Sequence, residues 1–539
     1  MAIAFAVQNS EKISQYAFIV NLIDFKFIRW RMESNADVMS ILPIVVTLVL
    51  SLLTRNVVIG LFSGVVTGVA MIEGLFATLG PLDTFGALVK DHLLPQVTDS
   101  YNAGIIILLV FIGGFVALVE KSGGGVAFAA SVVNWVKSRC QAKLSAWFGG
   151  IVIFFSDLGT PLIVGPVFRS LFDKLQISRQ KLAFIIDSTS SPVAILIPFI
   201  GWGVYIMGLL QKEFDALNLP LSDWDAFIGA IPYQFYAILA VAVIPVIALL
   251  KLDFGPMAEA ERLAQQGSDF GKVSDTIEVF SHPNAKANFV FVPLAVMLTV
   301  MFTMLAPHGF PFERVSGSVF RAALSTAYFC AATSLIALMA FHQVRKFKEG
   351  VDIYLKGMSG MMSVAVILIL AWTLSAIGKQ LGAAAYIAEQ AQAGFPAWLI
   401  PAVAFLIAAV ISFATGSSWG TFAIMMPLVI PTAVAVDAPM LVCIGAVLSG
   451  GLFGDHCSPI SETTILSSTG AGCDQFEHFR TQLPYAVTNG LIALASFIVA
   501  GLLATPMVFV LALAAQVLVY WWLSKRSLPQ PATLAPQAR

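Results

Sequence analysis

Charge is what this chain has least of. Lys, Arg, Asp and Glu make up 11% of its 539 residues, where about 25% is usual for soluble proteins. So few charges cannot cover the surface of a soluble 57.7 kDa protein. The net charge of −1 leaves no electrostatic footprint for nucleic acid. Cysteine is scarce as well: Cys140, Cys330, Cys443, Cys457 and Cys473 are odd in number and lie partly inside apolar runs, so no disulfide framework is implied. Residues 1–31 lack the n-region, h-region and cleavage site of a secretory signal. Two protease signatures are missing. There is no His-Glu-x-x-His, and Gly451-Leu-Phe-Gly454-Asp455 stands one residue out of register from the Gly-x-Gly-Asp of an intramembrane aspartyl protease.

What the chain does have is apolar length. Hydrophobic residues make up 58% of it and the mean hydropathy is +0.86, which predicts an all-α, multi-spanning membrane protein. Runs able to cross roughly 30 Å of hydrocarbon, at about 20 residues each, fall near 38–54, 56–79, 103–120, 226–250, 287–306, 318–341, 359–378, 483–503 and 505–523. Four further apolar stretches, 144–170, 181–207, 396–435 and 439–466, are interrupted by polar residues, Gly and Pro.

Basic residues in short loops set the orientation. Lys137, Arg139 and Lys143 mark one cytoplasmic loop; Arg169, Lys174, Arg179 and Lys181 mark a second; Arg345, Lys346, Lys348 and Lys356 mark a third. Lys525-Arg526 places the C-terminus inside, in a bacterial cell membrane. The acidic segment 208–225 reads as external. Both ends of 144–170 are then on one side, so it dips in and returns; 396–435 does the same from the opposite face. The expected architecture is about eleven crossings plus two re-entrant hairpins. It divides into a leader over 1–37, a first half over 38–251, a cytoplasmic linker over 252–286, a second half over 287–523 and a tail over 524–539. The linker reads as a solvated loop with one amphipathic turn. Placing the residues before Met39 outside conflicts with Lys26, Arg29 and Arg31. Either Met32 is the true start, or 13–29 is an interfacial or additional membrane helix.

The interrupted stretches form two matching pairs. Phe155-Ser-Asp-Leu-Gly-Thr160-Pro161 breaks the first hairpin, and Asp187-Ser-Thr-Ser-Ser191-Pro192 breaks the helix after it. Ala414-Thr-Gly-Ser-Ser-Trp-Gly-Thr421 breaks the second hairpin, and Asp455-His-Cys-Ser458-Pro459 breaks its helix. Hairpins entering from opposite faces make this an inverted repeat, the sequence pointer to a transport site at the bilayer midplane. Irregular backbone at that depth is tolerated only where it lines a cavity or is buried in protein, and broken helix ends offer free carbonyls to cations.

Asp157, Asp187, Asp455 and Glu462 lie within apolar spans, at about 3 kcal/mol each if they faced lipid. With no Lys or Arg at the tips, a proton, a cation or water must compensate them. We expect Asp187 and Asp455 to bind Na+ and H+ in competition, with Asp157, Glu462 and His456 as further proton carriers. Thr160, Ser190, Ser191, Ser417, Ser418, Thr421, Ser458, Ser461 and Thr463 supply the hard oxygen ligands. His456, Cys457, Cys473 and His478 match no standard zinc spacing, so no structural zinc and no cofactor are expected.

The segment Gly450-Gly-Leu-Phe-Gly-Asp-His-Cys-Ser-Pro-Ile-Ser-Glu-Thr-Thr-Ile-Leu-Ser-Ser-Thr-Gly-Ala-Gly-Cys473, followed by Arg480-Thr-Gln-Leu-Pro-Tyr485, strongly resembles the signature of the NhaC-type sodium/proton antiporter family. Pro161-Leu-Ile-Val-Gly-Pro166, Lys181–Pro192 and Ala414–Thr421 resemble its other motifs. The resemblance spans about residues 38–505 and is weakest over 208–360. It implies exchange of Na+ or Li+ for H+ or, as in some relatives, sodium-coupled exchange of small carboxylates such as malate and lactate. It also implies a homodimer. The family commonly carries Asp where Glu462 stands, which changes the reach of that carboxylate.

Overall fold

A computed structural model describes residues 38–526, apart from 74–80, 134–135, 158, 269–279, 311–314, 384–385 and 387–395. The leader, most of the tail, and Asp269, Lys272, Asp275 and Glu278 of the linker lie outside the described residues. The described residues are helical, joined by turns and loops, with no strand among them.

The first half opens with α1 (Leu42–Thr54) and α2 (Val57–Glu73). The tight corner expected between them is present: Arg55 is left-handed, with φ 53°, and Asn56 Oδ1 accepts from the N–H groups of Val58 and Ile59 at 3.0 and 3.2 Å. After α3 (Ser100–Lys121) and α4 (Gly124–Val133) come the arms of the first hairpin, α5 (Arg139–Val152) and α6 (Gly159–Lys174). Residues 153–157 belong to the tip. At 1.5 Å per residue these arms reach only about 21–24 Å, short of the roughly 30 Å a crossing needs. The first broken helix is α7 (Arg179–Ser188), a single turn α8 (Ser191–Ala194) and α9 (Gly201–Leu217). Ser178 caps α7 by accepting from Lys181 N–H at 3.2 Å. Then come α10 (Asp223–Ala230), α11 (Phe235–Leu250) and α12 (Pro256–Gln265).

The second half runs through α13 (Asn288–Leu305), α14 (Gly317–Phe341), α15 (Phe347–Gly360) and α16 (Met362–Gln380) to the second hairpin, α17 (Ile400–Thr415) and α18 (Ser418–Ala435). Gly416, left-handed at φ 67°, makes the corner. The second broken helix is α19 (Met440–His456) and α20 (Glu462–Ala471), followed by α21 (Gln475–Leu503) and α22 (Val508–Arg526).

Among the described residues seven helices are long and apolar enough to cross a membrane, and the pair Asp223–Tyr233 with Phe235–Leu250, bent by 48°, makes an eighth. Both arms of the second hairpin belong to the seven, and those of the first do not. Large apolar side chains such as Leu249, Leu491, Leu511 and Leu518 face outward. Lipid accepts such a surface and water does not.

The two halves interlock crosswise. Arm α6 lies along α20, where a Cβ on Gly165 would sit 2.6 Å from the Gly470 carbonyl carbon, so only bare glycine backbones allow this approach. Arg169 donates to the Gly470 carbonyl at 2.8 Å and Arg179 to the Gly472 carbonyl at 2.9 Å. The last carbonyls of α20, which have no partner inside the helix, are thereby satisfied by cations. In the other direction α18 lies against α9: Tyr205 OH donates to the Trp419 carbonyl at 2.6 Å, and the Trp202 and Trp419 rings are 5.0 Å apart.

The linker differs from the solvated loop expected of it. Helix α12 buries Met257, Ala260 and Glu261, so its apolar stripe docks onto the bundle. Glu261 receives Arg139 at 2.6 Å and both the N–H and Oγ–H of Ser178 at 2.8 and 2.7 Å. Lys181, read from the sequence as loop charge, is fully buried against Asp253 at 2.5 Å and lies 5.1 Å from the Tyr485 ring centroid.

Candidate functional site

The breaks put two carboxylates in the interior of the bundle. Asp187 and Asp455 are each the last residue but one of their helices, α7 and α19, where helix carbonyls run out of intrahelical donors. Asp187 is completely buried and Asp455 nearly so, and the two are close enough to interact electrostatically. Their surroundings differ. Asp187 Oδ2 accepts from Gln482 Nε2 at 2.6 Å, and Oδ1 accepts from Ser467 Oγ at 3.3 Å. His478 Nε2 lies 3.5 Å from Oδ2. Asp455 Oδ2 accepts from Thr463 Oγ1 at 2.8 Å, and Thr463 in turn meets Ser461 Oγ at 3.0 Å.

His456 is buried beside both acids. Its Nδ1 lies 3.1 Å from Tyr236 OH, its Nε2 has no hydrogen-bond partner among the described residues, and its carbonyl accepts from Gln482 Nε2 at 3.2 Å. Gln482 therefore bridges the two broken helices.

The first hairpin's tip brings in an acid that the sequence reading missed. Glu120, next to the end of α3, accepts from Ser156 Oγ at 2.9 Å, and Ser156 Oγ accepts from Gly159 N–H at 2.9 Å. Asp157, half-buried at the same tip, interacts electrostatically with both Glu120 and Asp455. A line of acids thus runs from α3 across the tip to the second break. Glu120 ends the apolar run 103–120 beside Lys121, so it does not stand out as an acid inside a span.

The expected hydroxyl ligands divide into three groups. Ser461 and Thr463 meet Asp455. Thr160 and Ser191 are buried with hydroxyls that have no hydrogen-bond partner among the described residues, and Ser190 turns back onto the Asp187 carbonyl at 3.3 Å. The rest serve the backbone. Ser417 caps α18 through Gly420 N–H at 3.2 Å, Ser418 donates to the Gly451 carbonyl at 3.2 Å, Thr421 to the Ser417 carbonyl at 2.8 Å and Ser458 to the Phe413 carbonyl at 2.8 Å. The hydroxyls of Ser418 and Ser458 hold the second hairpin against the second broken helix. Glu462 does not join the buried cluster: it is exposed in the first turn of α20, where an acid favours the helix start. Gln482, Ser467 and His478 were not selected from sequence as partners of Asp187, although Gln482 lies inside the Arg480–Tyr485 motif.

Comparison with known proteins identifies the family. The Na+/H+ antiporter family profile matches residues 193–502, more than half of the chain. An uncharacterized protein of Haemophilus influenzae is 30% identical over 502 residues, which is 90% of this chain and 93% of that one. The Na(+)/H(+) antiporter NhaC of Alkalihalophilus pseudofirmus is 35% identical over 109 residues, 20% of this chain and 23% of that protein. Among solved structures, the YdaH transporter of Alcanivorax borkumensis superposes with a TM-score of 0.57 over 80% of this chain and 91% of that one, at 16% identity. That likeness establishes the fold.

Proposed function

The chain belongs to the Na+/H+ antiporter family, a membrane transporter and not an enzyme, and from this premise we propose that it exchanges Na+ (or Li+) for H+ at Asp455. The observation that carries the reading is the contrast in what surrounds the two buried acids. Asp187 faces an amide N–H and a hydroxyl aimed at it, with an imidazole nearby, and amide donors turned inward repel a cation. Asp455 faces hydroxyls of Thr463 and Ser461, which rotate to present oxygen as readily as hydrogen. A cation at Asp455 therefore gains ligands that a proton does not need, and the two compete for one carboxylate.

In this reading Asp187 is the fixed negative charge of the site, held by Gln482 and Ser467. Asp157 and His456 pass the proton on, Asp157 toward Glu120 and the first hairpin. Thr160 and Ser191 are further oxygen ligands. The proton gradient drives Na+ outward across the bacterial cell membrane, and Na+ and H+ are cargo rather than resident cofactors. Alternating access is a movement of the hairpins against the rest of the bundle around the buried acids.

The test is a pH-dye assay in proteoliposomes with an imposed pH gradient, adding Na+, Li+, K+, malate or lactate in turn. Na+ or Li+ dissipates the gradient and K+ does not. If a carboxylate dissipates it and no cation alone does, the chain is an organic-acid exchanger and the reading is wrong.

A further inference from the structure

The last two helices leave a groove between them, far from the two acids. It has a volume of about 550 Å³, and Leu491, Ala495 and Val499 of α21 face Leu511, Ala515 and Val519 of α22 across it. The two polar side chains in its lining are already engaged. Thr488 Oγ1 donates to the Pro484 carbonyl at 2.7 Å and Ser496 Oγ to the Ile492 carbonyl at 2.8 Å. With both hydroxyls turned back to their own helix, the groove suits hydrocarbon and repels a polar ligand. Along α22 it runs from Val508 to Leu523, about 22 Å at 1.5 Å per residue. That exceeds one leaflet's half of roughly 30 Å of hydrocarbon, so an extended acyl chain fits along it.

The two ends of the groove differ. At the Leu523 end, read from sequence as cytoplasmic, Lys525 is exposed with its Nζ 5.6 Å from the Trp521 ring centroid. The Trp521 and Trp522 side chains are about half exposed there, as Trp is at a membrane–water interface. Lys251, exposed where α11 closes, stands at the same end of the bundle, where the Phe254 and Tyr520 rings are 6.0 Å apart. At the opposite end, residues 503–507 include no charged side chain. Positive charge is thus confined to one end of a long apolar furrow, which matches a molecule with an anionic head and a hydrocarbon tail.

We propose that the groove between α21 and α22 holds one acyl chain of an anionic phospholipid, with the phosphate at the Lys525 end. Basic residues just outside a membrane span attract such headgroups. A second copy of the chain fits the same face less well, because a twofold axis normal to the membrane sets like charges against like at the basic end. Thr488 lies six residues after Gln482 on the same helix, less than two turns away. The bound lipid therefore braces α21 against α22 close to the side chain that grips Asp187.

The experiment is native mass spectrometry of the purified full-length protein, titrated in detergent with dioleoylphosphatidylglycerol or with dioleoylphosphatidylcholine, which has the same chains and no net charge. The first equivalent of the anionic lipid binds at least about fivefold more tightly than the first of the neutral one. The double variant Lys251→Gln/Lys525→Gln lowers affinity for the anionic lipid at least about fivefold and leaves that for the neutral lipid unchanged. Ala495→Phe and Ala515→Phe each place a ring in the groove from a side chain that is not buried, so the fold is kept. Each lowers affinity for the first equivalent of both lipids by about tenfold. Thermal unfolding without added lipid checks that all variants are folded. Equal affinity for the two lipids, a preference that survives the double lysine variant, or a first equivalent unaffected by both phenylalanines would each overturn the proposal. So would a wild-type dimer that either phenylalanine alone converts to monomer, since a second copy would then fill the groove.

Discussion

Asp187 and Asp455 stand at matching positions in the two broken helices, yet the repeat has equipped them differently. Asp187 is gripped from the other half of the chain, by Ser467 on α20 and Gln482 on α21. Asp455 is served from within its own repeat by Thr463, eight residues on. The hairpins diverge as well. The first has short arms and a tip carrying Ser156 and Asp157 next to Glu120, whereas the second has long apolar arms and a tip whose hydroxyls bond backbone. Two matching breaks need not keep one role: in the proposed mechanism one acid belongs to the framework and the other is open to exchange.

Substituting the two acids separates these roles most sharply. Asp455→Asn leaves the protein folded and lowers Na+-driven exchange by at least about a hundredfold, the ~2.7 kcal/mol that loss of a charged ligand represents. Asp187→Asn lowers stability by about 1–3 kcal/mol, because its amide matches the Gln482 and Ser467 donors poorly. Exchange assays and thermal unfolding of both variants check this, and equal behaviour in both assays would break the distinction. Next in size is the glycine joint. Gly470→Leu, forced against Pro161 and Gly165 of α6, destabilises by about 1–3 kcal/mol and slows exchange with the cation affinity little changed.

Smaller effects sharpen the ligand sets. Thr463→Val keeps the shape and removes the hydroxyl, raising the half-saturating Na+ concentration by about five- to tenfold; Ser467→Ala leaves it nearly unchanged. The smallest effect is at the first tip. Glu120→Gln retains an acceptor for Ser156, so folding is preserved, and it slows proton-limited exchange about two- to threefold. Proton uptake rates measured at saturating Na+ check it.

Much of this was legible in the sequence because membrane burial makes polar residues conspicuous. Asp187, Asp455, Ser461 and Thr463 stood out against apolar spans, and the Asp–Ser–Pro breaks announced where helices stop. The partners of Asp187 did not stand out. Ser467 and Gln482 lie 280 and 295 residues away from it, on helices whose rotation no local pattern records. Lys181 misled for the same reason, since a basic residue near a helix end reads as loop charge until Asp253 and Tyr485 are seen to enclose it. Glu462 misled in the opposite sense: its place in an apolar stretch suggested burial, but the break at 457–461 turned it to the outside of α20.

The claim that Na+ and H+ compete at Asp455 is tested most directly by 22Na+ binding to the purified protein across a pH series, in the wild type and in Asp455→Asn. With one proton displaced per cation, wild-type Na+ affinity falls roughly tenfold per pH unit once the carboxylate is protonated, and Asp455→Asn loses that dependence together with the high-affinity binding. Wild-type affinity that does not change with pH, or pH-dependent binding that survives in Asp455→Asn, would contradict the account.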